Sequence, residues 1–103
     1  MRVAFKMKLH RGQEAEYKRR HAELWPELKQ LLKQTGIEDY SIFLDEETNL
    51  LFGILKIEDA KLLEELPKHP VMKKWWAYMK DVMDSNLDSS PVSIPLKEVF
   101  YMK

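Results

Sequence analysis

The sequence predicts an α+β fold of β-α-β-β-α-β order, the ferredoxin-like arrangement, with an antiparallel sheet of the kind found in dimeric α/β-barrels. Three observations carry this expectation. The N-terminus alternates apolar and polar residues with a period of two. A run of helical periodicity follows it. An apolar hairpin then leads into a helix dense in aromatics. At 103 residues the chain has room for one domain, residues 1–103, and for one core.

Taken in order, Val3, Phe5, Met7 and Leu9 alternate with Arg2, Ala4, Lys6 and Lys8, which describes a strand with one apolar face. Gly12 breaks the pattern ahead of a helix spanning about 13–34. Pro26 falls inside that span and has no N–H to give, so it bends the helix or restarts it near Trp25. Leu28, Leu31 and Leu32 then sit at helical spacing, and Gly36 supplies a C-terminal stop. Residues 38–57 read as a hairpin in which Tyr40, Ile42 and Leu44 alternate and the polar stretch DEETN turns the chain.

The strand after that turn is apolar on both faces. Leu51, Leu55 and Ile57 lie on one side, and Leu50, Phe52 and Ile54 on the other. Helices on one side of a sheet leave its second face open, so such a strand calls for cover on both. A second copy of the chain, packed sheet against sheet, is the expected cover. A short helix at 59–66 precedes Pro67 and Pro70, and a helix at 71–83 carries the cluster WWAY. Residues 84–95 form a Pro/Ser/Asn-rich loop, and LKEVFYM reads as the last strand.

Charge and composition narrow the function. Seventeen basic side chains balance seventeen acidic ones. Binding to nucleic acid or an anionic membrane draws on a basic excess or stripe, and neither is visible. A neutral ligand fits better. There are no cysteines, hence neither disulfides nor thiolate chemistry. MRVAFKMKLH lacks the apolar core of a signal peptide, and no run approaches the roughly 18 apolar residues of a membrane span. A cytoplasmic protein is the expectation.

The densest chemical signal lies in EYKRRHAELWPEL, residues 16–28. Tyr17 and His21 stand four apart on a helix and share a face. Histidine exchanges protons near neutral pH, so phenol and imidazole together suit acid–base work. Spacing alone favours an exposed or core-edge histidine beside an ordinary tyrosine. Trp75 and Trp76 point about 100° apart on a helix, so one joins the core and the other meets its rim, a pocket or a partner. Tryptophan offers a broad apolar plane with one N–H, a good platform for the C–H face of a sugar, and it serves interfaces as well. Tyr40 shares a strand face with Ile42 and Leu44, which points to core packing, and its hydroxyl then needs a partner such as a backbone carbonyl or a sugar hydroxyl. His10, His21 and His69 show no metal-ligand spacing, and the three glycines are too isolated for a phosphate loop.

The segments EYKRRHAELWPEL, YSIFLDEETNLLFG, KKWWAYMKDVM, SSPVS and LKEVFYM resemble the successive blocks of the L-rhamnose mutarotase family. They occur in the family's order along nearly the whole chain. The resemblance implies a homodimeric ferredoxin-like isomerase, without cofactor or metal, that interconverts the α and β anomers of L-rhamnose. It makes His21 the catalytic proton donor and Tyr17, Tyr40, Trp75 and Trp76 the sugar-binding residues. Two other classes share the setting. One is another enzyme on the same fold, a small monooxygenase or a haem-degrading dimer. The other is a binding module with the tryptophans as partner-facing hot spots.

Overall fold

The N-terminal alternation becomes strand β1, Arg2–Lys8, in a computed structural model that describes residues 1–103. Two helices follow where one interrupted helix is expected: α1, Glu14–Ala22, and α2, Pro26–Thr35. Pro26 resolves the alternatives by restarting the helix. It occupies the first turn of α2, where its missing N–H would have no partner in any case. Gly36 closes α2 in the left-handed conformation at φ 97°, which only glycine adopts freely. Strands β2, Glu38–Asp45, and β3, Leu50–Lys56, form the hairpin.

Four strands make one antiparallel sheet in the order β2-β3-β1-β4. On its inner face Met7, Leu9, Leu51, Leu55 and Ile57 are buried with Tyr17, Leu28, Met72, Trp75 and Met79 from the helices. Leu28 is 1% exposed, and burial of such a side chain contributes about 1.5–3 kcal/mol. The outer face is different. Phe43 opposite Phe52, and Ile54 beside Ser41 and Ala4, stand on a surface no helix of the same chain covers. Phe43 keeps 60% of its surface exposed and Ile94 51%.

Three expected elements change. The segment before Pro70 is a 3₁₀ helix, Ala60–Lys68, started by the Asp59 carboxylate accepting from the Lys61 N–H at 3.1 Å. Helix α3 is Pro70–Met79 and ends four residues before its periodicity suggests. The following residues instead pair with the end of β1: His10 N–H donates to the Val82 carbonyl and Asp84 N–H to that of Lys8. The last strand, β4, is Ile94–Leu96 and not LKEVFYM. Beyond it Val99, Phe100, Tyr101 and Met102 are exposed, outside any strand, with the Arg2 guanidinium 4.0 Å from the Tyr101 ring centre. No helix is long and apolar enough to cross a membrane.

Candidate active site

Helical geometry brings the first two site residues together. Tyr17 and His21, one turn apart on α1, stack with ring centres 4.3 Å apart and planes inclined by 30°. The His21 Nδ1 lies 3.0 Å from the Tyr17 carbonyl oxygen. A carbonyl only accepts, so Nδ1–H is the donor, and the neutral ring presents Nε2 as a bare lone pair. One end of the imidazole is therefore fixed and the other is free to work.

Helix α3 closes the next side. Trp75, 5% exposed, meets His21 edge-on at 5.4 Å and 90°. Trp25, just ahead of Pro26, stands against Trp75 at 5.1 Å and 88° and stacks on Tyr78 at 5.5 Å and 25°. Tyr78 completes the group 5.6 Å from Trp75. Tyr17, His21, Trp75, Trp25 and Tyr78 thus form one continuous aromatic cluster. Trp76, the neighbour of Trp75, is half-buried against the core and takes no part in these ring contacts. The paired tryptophans divide as their 100° separation requires.

Tyr40 approaches from the sheet. The register of β2 on β3 slips by one residue between Glu38 and Ser41, and Asp39 takes a left-handed φ of 50°. Such a bulge re-aims the side chain beside it. Tyr40 keeps 39% of its surface exposed, with its ring 6.2 Å from Phe5, so it is a rim residue and not the core residue that alternation suggests. Phe5 lies in turn across Gly53 on the neighbouring strand, where a Cβ would come within 2.5 Å of the ring.

The site is uncharged at neutral pH. Burial lowers the pKa of His21 below its usual 6.5, against a weaker upward effect of the Tyr17 carbonyl. Burial pushes the Tyr40 hydroxyl up to about 12, although the residue as a whole keeps part of its surface exposed. It raises Tyr17 further, with Tyr40 as a second, electrostatic cause that places the two phenols within each other's field. The cluster therefore offers a neutral imidazole, two neutral phenols and apolar indole faces. No three His, Cys, Asp or Glu side chains are grouped to hold a metal ion.

Of the residues expected from sequence, Tyr17, His21 and Trp75 come together, Tyr40 joins them from the rim, and Trp76 stands behind. Trp25, Tyr78 and Phe5 are additional. The spacing of Tyr78 three residues after Trp75 is the signal that could have found it. A separate surface cleft, lined by His10, Lys80, Asp81, Met83, Asp84 and Ser85 among others, contains no tyrosine or tryptophan. There His10 is held between the Asp81 carbonyl and the Asp84 carboxylate, so it serves to tie down the loop.

Known proteins resemble this chain in sequence and in fold. The profile of the L-rhamnose mutarotase family matches residues 2–102. The L-rhamnose mutarotase of Brucella anthropi is 59% identical over 98% of this chain and 95% of its own length. That of Mesorhizobium japonicum is 56% identical over 98% and 96%. The crystal structure of an L-rhamnose mutarotase from Formosa agariphila superposes with a TM-score of 0.93 at 56% identity, covering 100% of this chain and 99% of that one. A conserved protein from Methanosarcina mazei shares the fold at 16% identity with a TM-score of 0.63.

Proposed function

The chain belongs to the L-rhamnose mutarotase family and, as an isomerase, interconverts the α and β anomers of L-rhamnose; we propose that His21 carries the protons of this reaction. The observation that supports the assignment is the anchored imidazole: Nδ1–H bonded to the Tyr17 carbonyl at 3.0 Å inside an aromatic cluster. One nitrogen, Nε2, is left to face the sugar.

Anomer exchange asks for two proton movements at neighbouring oxygens. The anomeric hydroxyl and the ring oxygen are bonded to the same carbon, C1, so a single Nε2 reaches both. Neutral His21 takes the hydroxyl proton. The bond from C1 to the ring oxygen breaks, its electron pair stays on that oxygen, and C1 becomes an aldehyde. The imidazolium then protonates the ring oxygen and is neutral again. Rotation about C1–C2 turns the other face of the aldehyde inward. Reclosure runs the same transfers backwards, and the opposite anomer leaves. A positioned acid–base group of this kind contributes about 10² to 10⁴ in rate.

Tyr17 and Tyr40, held neutral, donate and accept hydrogen bonds to the sugar hydroxyls. Trp75 supplies an apolar plane for the C–H face of the ring, and Trp76 bounds the site behind it. The methyl group that L-rhamnose carries at C6 favours such apolar walls.

The setting belongs to the same proposal. The sheet order β2-β3-β1-β4 with β1 and β2 on either side of β3 supports the ferredoxin-like reading. Phe43, Phe52, Ile54, Ile94 and Leu96 on the open sheet face support a homodimer joined through that face. A cysteine-free chain acting on a free sugar suits the cytoplasm. The function is tested by saturation-transfer NMR between the two anomeric proton signals of L-rhamnose. Accelerated exchange that exceeds the effect on glucose supports it, and exchange unchanged by the protein overturns it.

A further inference from the structure

Arg20 is buried, 8% exposed, on the same helix as Tyr17 and His21, and the proton transfers above do not use it. Arginine is rarely this buried unless its charge is fully engaged. Here all three guanidinium nitrogens donate. Nε donates to Glu16 Oε2 at 2.7 Å, and Nη1 donates to the Tyr78 carbonyl at 2.7 Å and to Asp81 Oδ1 at 2.8 Å. Nη2 reaches Asp81 Oδ2 at 3.2 Å, and the group lies 4.4 Å from the centre of the Tyr78 ring. Glu16 is also held by Arg19, whose Nη2 donates to the same Oε2 at 2.7 Å and Nε to Oε1 at 2.9 Å.

These contacts join α1 to the C-terminal end of α3. The last carbonyls of a helix have no partner within it and favour a nearby cation. Helix α3 has no basic residue in its own last turn, so Arg20 provides that cation from another helix. The carbonyl and ring it holds both belong to Tyr78, which packs on Trp25 and Trp75. His21 is the next residue along α1. The guanidinium therefore sets the spacing between the aromatic wall and the imidazole.

We propose that Arg20 is a positioning residue for anomer exchange, locking the Trp75–Tyr78 wall at the distance from His21 that brings Nε2 onto the anomeric oxygens. The proposal rests on the reading of His21 as the proton carrier. A planar five-donor fork suits three partners in different directions, and a lysine ammonium at the end of a flexible stem does not reproduce it. A loosened wall still binds sugar but holds it out of register. Misplacement of about 1 Å costs on the order of 10²-fold in rate.

The test is steady-state anomer exchange with Arg20→Lys and Asp81→Asn, at a temperature well below the unfolding of each variant. Arg20→Lys is expected to lower kcat by roughly tenfold or more while KM moves by less than about threefold. Asp81 is an exposed carboxylate, 66% accessible, so Asp81→Asn folds and is expected to lower kcat by roughly threefold. The double variant should be no worse than Arg20→Lys alone. A merely structural arginine leaves kcat of the folded protein at the parent value, and that result overturns the proposal. If Arg20→Lys fails to fold, Asp81→Asn decides on the same criterion. A parent that does not exchange anomers overturns the functional reading itself, an outcome distinct from an active parent matched by its variants.

Discussion

Gly53→Ala tests how the sheet supports the rim of the site. Gly53 lies on β3, between β1 and β2, directly opposite Phe5. An added Cβ would stand 2.5 Å from Phe5 Cζ and 2.6 Å from Cε2. Carbon atoms rest at about 3.5–4.0 Å, so something must retreat by roughly 1 Å. Neither backbone is free to do so, because β3 is paired on both sides and β1 is paired with β3 and β4. The Phe5 ring moves instead, and Tyr40 is its aromatic neighbour at 6.2 Å. Overpacking of this kind costs about 1–3 kcal/mol, offset by about 0.5–1 kcal/mol from replacing a strand glycine. The midpoints leave a net loss of about 1 kcal/mol, which lowers Tm by roughly 4–8 °C in a domain of this size. Thermal unfolding at fixed protein concentration reads the loss, and a raised KM for rhamnose reads the displacement of Tyr40. Phe5→Leu in the Gly53→Ala background removes the clashing ring atoms and should recover part of the stability. An alanine variant as stable as the parent, or no recovery with leucine, refutes the reasoning.

Two further outcomes are expected. The transfer mechanism needs neutral His21, whose pKa burial places below 6.5. Protonation removes the Nε2 lone pair, so kcat/KM should stay level above pH 6.5 and fall only as pH drops through that lowered value; activity that rises on acidification contradicts the mechanism. Ile54→Asp puts a carboxylate at the centre of the open sheet face, between Ala4 and Ser41. Sedimentation should show a dimer for the parent and a monomer for the variant, and a monomeric parent removes the sheet-to-sheet pairing.

The parts of the molecule legible in sequence are those set by local period. The alternation of β1, the shared face of Tyr17 and His21 and the division between Trp75 and Trp76 all follow from pleat and helix geometry. Pro26 marked the helix break because its effect is covalent and local. The parts that escaped depend on distant partners. Arg20 sits in a charged run, KRR, that looks like a solvated helix face, and its burial depends on Asp81 and Tyr78 some sixty positions away. The bulge that moves Tyr40 to the rim arises from pairing with β3, and nothing at Asp39 announces it. Pro95 reads as a breaker, which puts the expected last strand beyond it, whereas β4 contains it. Because β4 pairs only with β1 along the sheet edge, the missing N–H costs it no ladder bond on the open side. Its apolar successors, Val99 to Met102, look like a strand and lie exposed.

In the proposed mechanism one imidazole, anchored at Nδ1 and free at Nε2, performs the whole exchange. The most direct measurement compares the parent and His21→Ala by exchange NMR on L-rhamnose, with tryptophan fluorescence confirming that both bind the sugar. The expected result is a fall in exchange rate of roughly 10² to 10⁴, toward the rate without protein, while binding persists. A His21→Ala variant that exchanges anomers as fast as the parent contradicts the account and assigns the proton transfers to another group.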